Sequence, residues 1–205
     1  MVSGISGVVF VDFSELFKFY WYCSTWAQIS LTFLFDELCL FMFLLVIGVS
    51  LTVHVYSIEY MADDPNRNLF LGYLSLFTSF MLLLVSAGNF IQFFVGWEGI
   101  GLCSYLLINF WYMRVEANLA AIKAVVVNKI GDCAFVIGVG LVYYYFYSFN
   151  FVTVTSVIGN YLDFNFGSCG VSFFYDSIVL DSATLVALFF LIAVMGKSAQ
   201  IGLHT

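Results

Sequence analysis

The amino-acid sequence predicts an all-α integral membrane protein with about five transmembrane helices. Three observations predict it. Of the 205 residues, 63% are hydrophobic and 9% are charged, where a soluble domain carries about 25% charge. The mean hydropathy is +1.03. Five stretches, at 37–60, 69–87, 89–113, 119–147 and 178–203, are apolar and long enough for the ~20 residues that a helix needs to cross a bilayer.

The elements follow in chain order. Residues 1–36 read as an interfacial or extramembrane segment. The stretch LFKFYWYCSTWAQISLTFLF is long enough to span, but it holds Lys18 and is crowded with Trp and Tyr, which favour the membrane–water boundary. Residues 37–147 hold four transmembrane helices, 37–60, 69–87, 89–113 and 119–147. Between the first two lies Asp63-Asp64-Pro65-Asn66, where Pro fixes φ and the Asp and Asn side chains can bond nearby backbone. Gly88 and Asn89 mark a tight turn at the opposite end. Residues 148–177, rich in Asn, Ser, Gly and Phe, read as an extramembrane loop. Residues 178–205 read as the first part of a broken transmembrane helix. Small residues Gly196, Ser198 and Gly202 surround Lys197 there, and broken helices are tolerated where they line a polar cavity.

Composition narrows the function. Six Lys and Arg scattered along a chain of net charge −7 make no basic patch for nucleic acid. The cysteines Cys23, Cys39, Cys103, Cys133 and Cys169 form no C-x-x-C pair, which leaves zinc, iron–sulfur and redox motifs unsupported. They read as small apolar space-fillers. No basic, acid-poor leader precedes the first apolar stretch. That fits synthesis inside the compartment that uses the protein. Arg67 and Arg114 fall in loops on one side, which should be the side of synthesis.

The charges inside the apolar stretches carry the chemistry. Glu98 is the single charge within residues 89–113. A carboxylate at that depth is expensive and marks a proton or ion path by default. Lys129 and Asp132 stand three apart and share a helix face, where they can pair. Lys123 is nine residues before Asp132 and points to the opposite face at 3.6 residues per turn. The plainer reading of Lys123 is a side chain snorkelling from near the helix end. Lys197 would lie about 24 Å into a helix starting near Asp181, a depth that counting cannot separate from snorkelling. His54, in VHVYSIEYM at 53–61, reads either as a relay or as an interfacial hydrogen-bonder. Gly99-x-Gly101 and Gly138-x-Gly140 read as close-packing positions rather than phosphate loops.

Lysine and glutamate both change protonation readily when desolvated, and an opposite charge restores the ionised form. A Glu–Lys pair can therefore gate a proton. Moving a charge against the membrane potential takes about 2.3 kcal/mol per 100 mV. With no nucleotide motif or cofactor ligand set in the chain, a partner must supply that energy.

The stretches GWEGIGLCSYLLINFW at 96–111, NKIGD at 128–132 and GKSAQIGLHT at 196–205 closely resemble the subunit 5 family of NADH–quinone oxidoreductase. These are distal antiporter-like membrane subunits of respiratory complex I. VHVYSIEYM and Asp36 also fit, and the similarity runs from about residue 36 to the end. The resemblance implies part of the first of two inverted five-helix repeats, each with a broken helix. It implies that Glu98 pairs with Lys197 and that Lys129 and Asp132 couple to a neighbouring antiporter-like subunit. Lys123 and His54 match further family positions.

The resemblance also implies no cofactor in this chain, with FMN, iron–sulfur clusters and quinone in partner subunits. Protons would move as quinone reduction elsewhere changes the partners of Glu98 and Lys197. The implied location is the mitochondrial inner membrane, or less readily a bacterial plasma membrane, among other membrane-arm subunits and lipids. Two helices that the family places before Asp36 lack a convincing counterpart, and the family continues beyond Gly-Leu-His-Thr. The expectation is a split subunit, with a second polypeptide supplying the remainder. The rivals are a subunit of a multi-subunit sodium/proton antiporter and a non-pumping structural fragment. Retention of Glu98, Lys129, Asp132 and Lys197 counts against the fragment, since buried charges serve packing poorly.

Overall fold

In a computed structural model, the residues described are 18–23, 28–162, 170–171, 180–200 and 202–203. Two antiparallel strands come first, β1 (Lys18–Cys23) and β2 (Gln28–Thr32), in a register that pairs Lys18 with Thr32 and Cys23 with Gln28. Then come α1 (Glu37–Tyr60), α2 (Arg67–Val85), α3 (Phe90–Ile108), α4 (Val115–Phe146) and α5 (Phe151–Leu162). A two-residue strand pair, β3 (Gly170–Val171) with β4 (Leu180–Asp181), precedes α6 (Ser182–Lys197). The chain is mostly helical; the short strand pairs are the exceptions to the all-α expectation. Residues 18–23 and 28–32, expected to lie at an interface, form a hairpin. Part of the expected 148–177 loop is the helix α5.

Among the described residues, four helices are long and apolar enough to cross a membrane: α1, α2, α3 and α4. At 1.5 Å per residue they run about 36, 28, 28 and 48 Å, against a hydrocarbon core of about 30 Å. The fifth expected span is shorter. With 16 residues, α6 reaches about 24 Å. The helices pack in series, α1 on α2, α2 on α3, α3 on α4 and α4 on α6. Much of α1 is exposed, including Leu38, Phe41, Leu44 and Leu51. A helix apolar on all sides is buried in lipid or protein.

The short α2–α3 turn is clasped by two other segments. Gly88 N–H donates to the Thr32 carbonyl at 2.8 Å, and Phe151 N–H donates to the Gly88 carbonyl at 3.1 Å. Asn89 caps α3 by accepting from Gln92 N–H at 2.8 Å, and Gln92 Oε1 accepts from Thr32 N–H at 3.1 Å. Gly88 is required by contact, because a Cβ there would lie 2.3 Å from Thr32 Oγ1.

An aromatic cluster fills the space between α3, α4 and α6. Phe135 stacks on Phe93, Phe94 and Trp97 with centroids 5.5–5.7 Å apart, and Phe190 of α6 sits 5.2 Å away. These are favourable aromatic separations. The cluster fixes the indole of Trp97 beside the charged residues.

Candidate functional site

Three helices bring the charged side chains together, and glycines set the approach. A Cβ on Gly96 would meet Leu84 at 2.8 Å, and one on Gly99 would meet the Phe80 ring at 2.4 Å. This face of α3 lies flush against α2. At 100° per residue, Trp97, Glu98 and Gly101 then point away from α2, toward α4 and α6. On the far side Gly131 of α4 meets Gly196 of α6, where a Cβ on Gly196 would lie 3.1 Å from Gly131 Cα. That close crossing brings the end of α6 to the site.

Helix α6 stops there in a defined way. Ala199 is left-handed, with φ of 50°. The Gln200 N–H donates to the Met195 carbonyl at 3.2 Å, the bond expected two residues past the end of such a helix. Lys197 is the last helical residue, so its positive charge lies at the negative end of the helix dipole.

The ammonium of Lys197 donates to the backbone carbonyl of Trp97 and lies 4.4 Å from the centre of the Trp97 ring. The indole Nε1–H of Trp97 donates to Asp132 Oδ1 at 2.9 Å. Lys129 pairs with Glu98 Oε1 and stands 3.9 Å from Asp132 Oδ2. The second oxygen of Glu98, Oε2, is buried without a hydrogen-bond partner. The Glu98 side chain is 27% exposed and that of Asp132 13%, while that of Lys129 is 53% exposed. Two lysines and two carboxylates thus form a connected group with balanced charge when all four are ionised.

One expected pair is corrected by this geometry. Glu98 does not close on Lys197; it takes Lys129, and Lys197 takes Trp97 instead. The physical reason is reach. Lys129 projects from α4 directly toward α3, whereas Lys197, at the end of α6, arrives one residue short, over the Trp97 carbonyl. The Lys129–Asp132 proximity expected from their spacing is present at 3.9 Å.

Lys123 and Lys197 line one cavity of about 390 Å³, together with Val127, Asn128, Gly196 and Leu203. His54 is not brought to the group. It stays on α1, with Nδ1 2.7 Å from the Ser50 carbonyl and 3.3 Å from Ser50 Oγ.

Trp97 is the residue that sequence reasoning missed. Its signal was its place beside Glu98, but nothing in the spacing shows that its indole bridges two other helices. Among the described residues, no group of three His, Cys, Asp or Glu could hold a metal. Cys39 and Cys103 are buried free thiols and Cys133 is exposed. Cys169, Ile201, His204 and Thr205 lie outside the described residues, as do parts of the expected N-terminal segment and 148–177 loop.

A family model described as NADH:quinone oxidoreductase/Mrp antiporter, TM, matches residues 87–205, more than half of the chain. The chain belongs to this antiporter-like membrane family. A second model, the complex I chain 5 N-terminus, matches residues 21–71. The family likeness therefore begins well before Asp36, further upstream than the motifs alone indicated.

Among curated relatives, NADH-ubiquinone oxidoreductase chain 5 of Acanthamoeba castellanii is 46% identical over 90% of this chain and 26% of its own length. Chain 5 of Phytophthora infestans is 42% identical over 96% of this chain and 29% of its own. That of Chondrus crispus is 45% identical over 93% and 28%. The antiporter-like chain thus spans a little over a quarter of the length of these relatives. One chain in the solved structure of an archaeal membrane-bound sulfane sulfur reductase matches with a TM-score of 0.63 at 18% identity, covering 88% of this chain and 25% of that one. At that identity the likeness is one of fold.

Proposed function

We propose that this chain forms part of the first antiporter-like repeat of a complex I subunit 5 and moves protons through the group at Glu98, Lys129, Asp132 and Lys197. The observation that carries this reading is Lys129 set between two carboxylates, paired with Glu98 and 3.9 Å from Asp132. A lysine with two alternative acid partners can exchange between them. Each exchange leaves a different carboxylate uncompensated and alters its hold on a proton.

On this reading Lys197 passes the proton onward into the cavity it shares with Lys123. Quinone reduction in partner subunits supplies the energy. FMN and iron–sulfur clusters reside in those partners, and this chain contributes no redox group. The neighbours are other membrane-arm subunits, among them another antiporter-like one, in the mitochondrial inner membrane. Sequence outside these 205 residues, on the same or a second polypeptide, completes the fold. The chain 5 identity of the curated relatives supports this assignment.

The test is Glu98→Gln in membranes that hold the assembled complex. NADH oxidation and assembly should persist while proton uptake per NADH falls sharply; unchanged pumping would sink the reading. The matching family description also embraces antiporters, which favours one second reading, sodium/proton exchange without quinone. Co-purification of this chain with flavin and iron–sulfur proteins would decide for complex I.

A further inference from the structure

We propose that Trp97 is a positioning residue that couples the state of Asp132 to Lys197. This rests on the proton-transfer reading above and deepens it. The indole N–H is a donor only, and it is spent on Asp132 Oδ1 at 2.9 Å. The same ring presents its face to the Lys197 ammonium at 4.4 Å, a contact that attracts the charged form of an amine. The backbone of the same residue supplies the carbonyl that Lys197 uses. Gly101, whose Cβ position would lie 4.0 Å from Lys197 Nζ, leaves that approach open.

The coupling works through the second oxygen of Asp132. Lys129 stands 3.9 Å from Oδ2 and is engaged with Glu98. While it remains with Glu98, the full acceptor strength of Asp132 holds the indole, and the ring lies under Lys197. When Lys129 closes on Asp132, the carboxylate is shared and the indole bond weakens. The ring can then tilt, and Lys197 loses part of its cradle. The stack with Phe93 and Phe135 confines that tilt to a small angle. Among the described residues, the titratable groups around Lys197 on the packed helices are Lys123, which lines the same cavity, and Asp132, bonded to the Trp97 indole, with Lys129 and Glu98 joined to Asp132.

The experiment compares Trp97→Phe, Asp132→Asn, the double variant and Lys197→Met in membranes with the assembled complex. Trp97→Phe keeps a flat ring in the aromatic stack and removes the N–H. Proton pumping should fall about ten-fold in each of the first two, and the double should fall no further, because residues acting through one contact are not additive. The infrared carboxylate band that Asp132→Asn removes should shift in Trp97→Phe. A normal rate or an unmoved band in Trp97→Phe, or losses that multiply in the double, would overturn the coupling. If Lys197→Met abolishes pumping while Trp97→Phe is normal, only the role of Trp97 fails. If Lys197→Met pumps normally, the proton-transfer reading fails with it.

Discussion

Gly131 of α4 and Gly196 of α6 meet so closely that a Cβ on Gly131 would lie 3.0 Å from the Ala193 carbonyl oxygen and 3.5 Å from Gly196 Cα. This contact positions Lys197. The ammonium reaches Trp97 because the two helix backbones are nearly touching one residue earlier.

Gly196→Val should therefore separate α4 from α6. Overpacking a tight contact costs about 1–3 kcal/mol, and here the strain falls on backbone, which cannot swing aside. The amount of assembled complex on a native gel should drop several-fold. Gly140→Ala is the control, since nothing lies within 4 Å of its Cβ position; assembly of that variant should match the unaltered protein.

The pairing of Glu98 with Lys129 makes a prediction that a Glu98–Lys197 pair does not. Lys129→Met should reduce proton pumping at least as much as Glu98→Gln, and the double variant should lose little more than either alone. Independent, multiplying losses would show that the two side chains do not act together. Lys129→Arg, which keeps the charge, should retain more pumping than Lys129→Met.

Ala199 occupies a left-handed position, φ 50°, that favours glycine. The conformation costs an L-residue about 1–2 kcal/mol. Ala199→Gly should firm the end of α6, and amide hydrogen exchange at Ser198 and Gln200 should slow. Faster exchange at those amides would count against the assigned helix end.

His54 folds back on Ser50 of its own helix, and α1 packs on α2, away from the charged group. His54→Gln should leave pumping within about two-fold of the original, consistent with the small effects typical of substitutions outside a site. A large loss would return His54 to the relay.

Asn89 caps α3 at the α2–α3 turn, its side chain accepting from Gln92 N–H at 2.8 Å. Asn89→Ala should cost about 0.5–2 kcal/mol. Because the clasp joins Thr32, Gly88 and Phe151, exchange protection should fall in all three segments together. Loss confined to the first turn of α3 would mean that the clasp is not cooperative.

The helices were legible to different degrees. The expected 37–60 span coincides with α1, and the other three spans differ from α2, α3 and α4 by a few residues at their ends, where polar caps and tertiary bonds decide the last turn. The hairpin β1–β2 was hidden, because aromatic residues suit both an interface and a strand. Helix α5 was hidden in FVTVTSVI, whose β-branched run has low helix propensity; bonds from Phe151 to the α2–α3 turn anchor its start.

By itself the sequence determined that this is an integral membrane protein, roughly where its long apolar helices fall, and which residues carry charge inside them. Those properties depend on local composition and on the cost of a charge in hydrocarbon, and both can be read along a single strand of text. The tertiary structure alone decided that Glu98 takes Lys129, that Lys197 rests on Trp97, and that an indole links Asp132 to the end of α6. These depend on how far side chains reach across helices 31 to 100 residues apart. That reach is set by the glycine contacts between backbones, which no periodicity within one helix encodes.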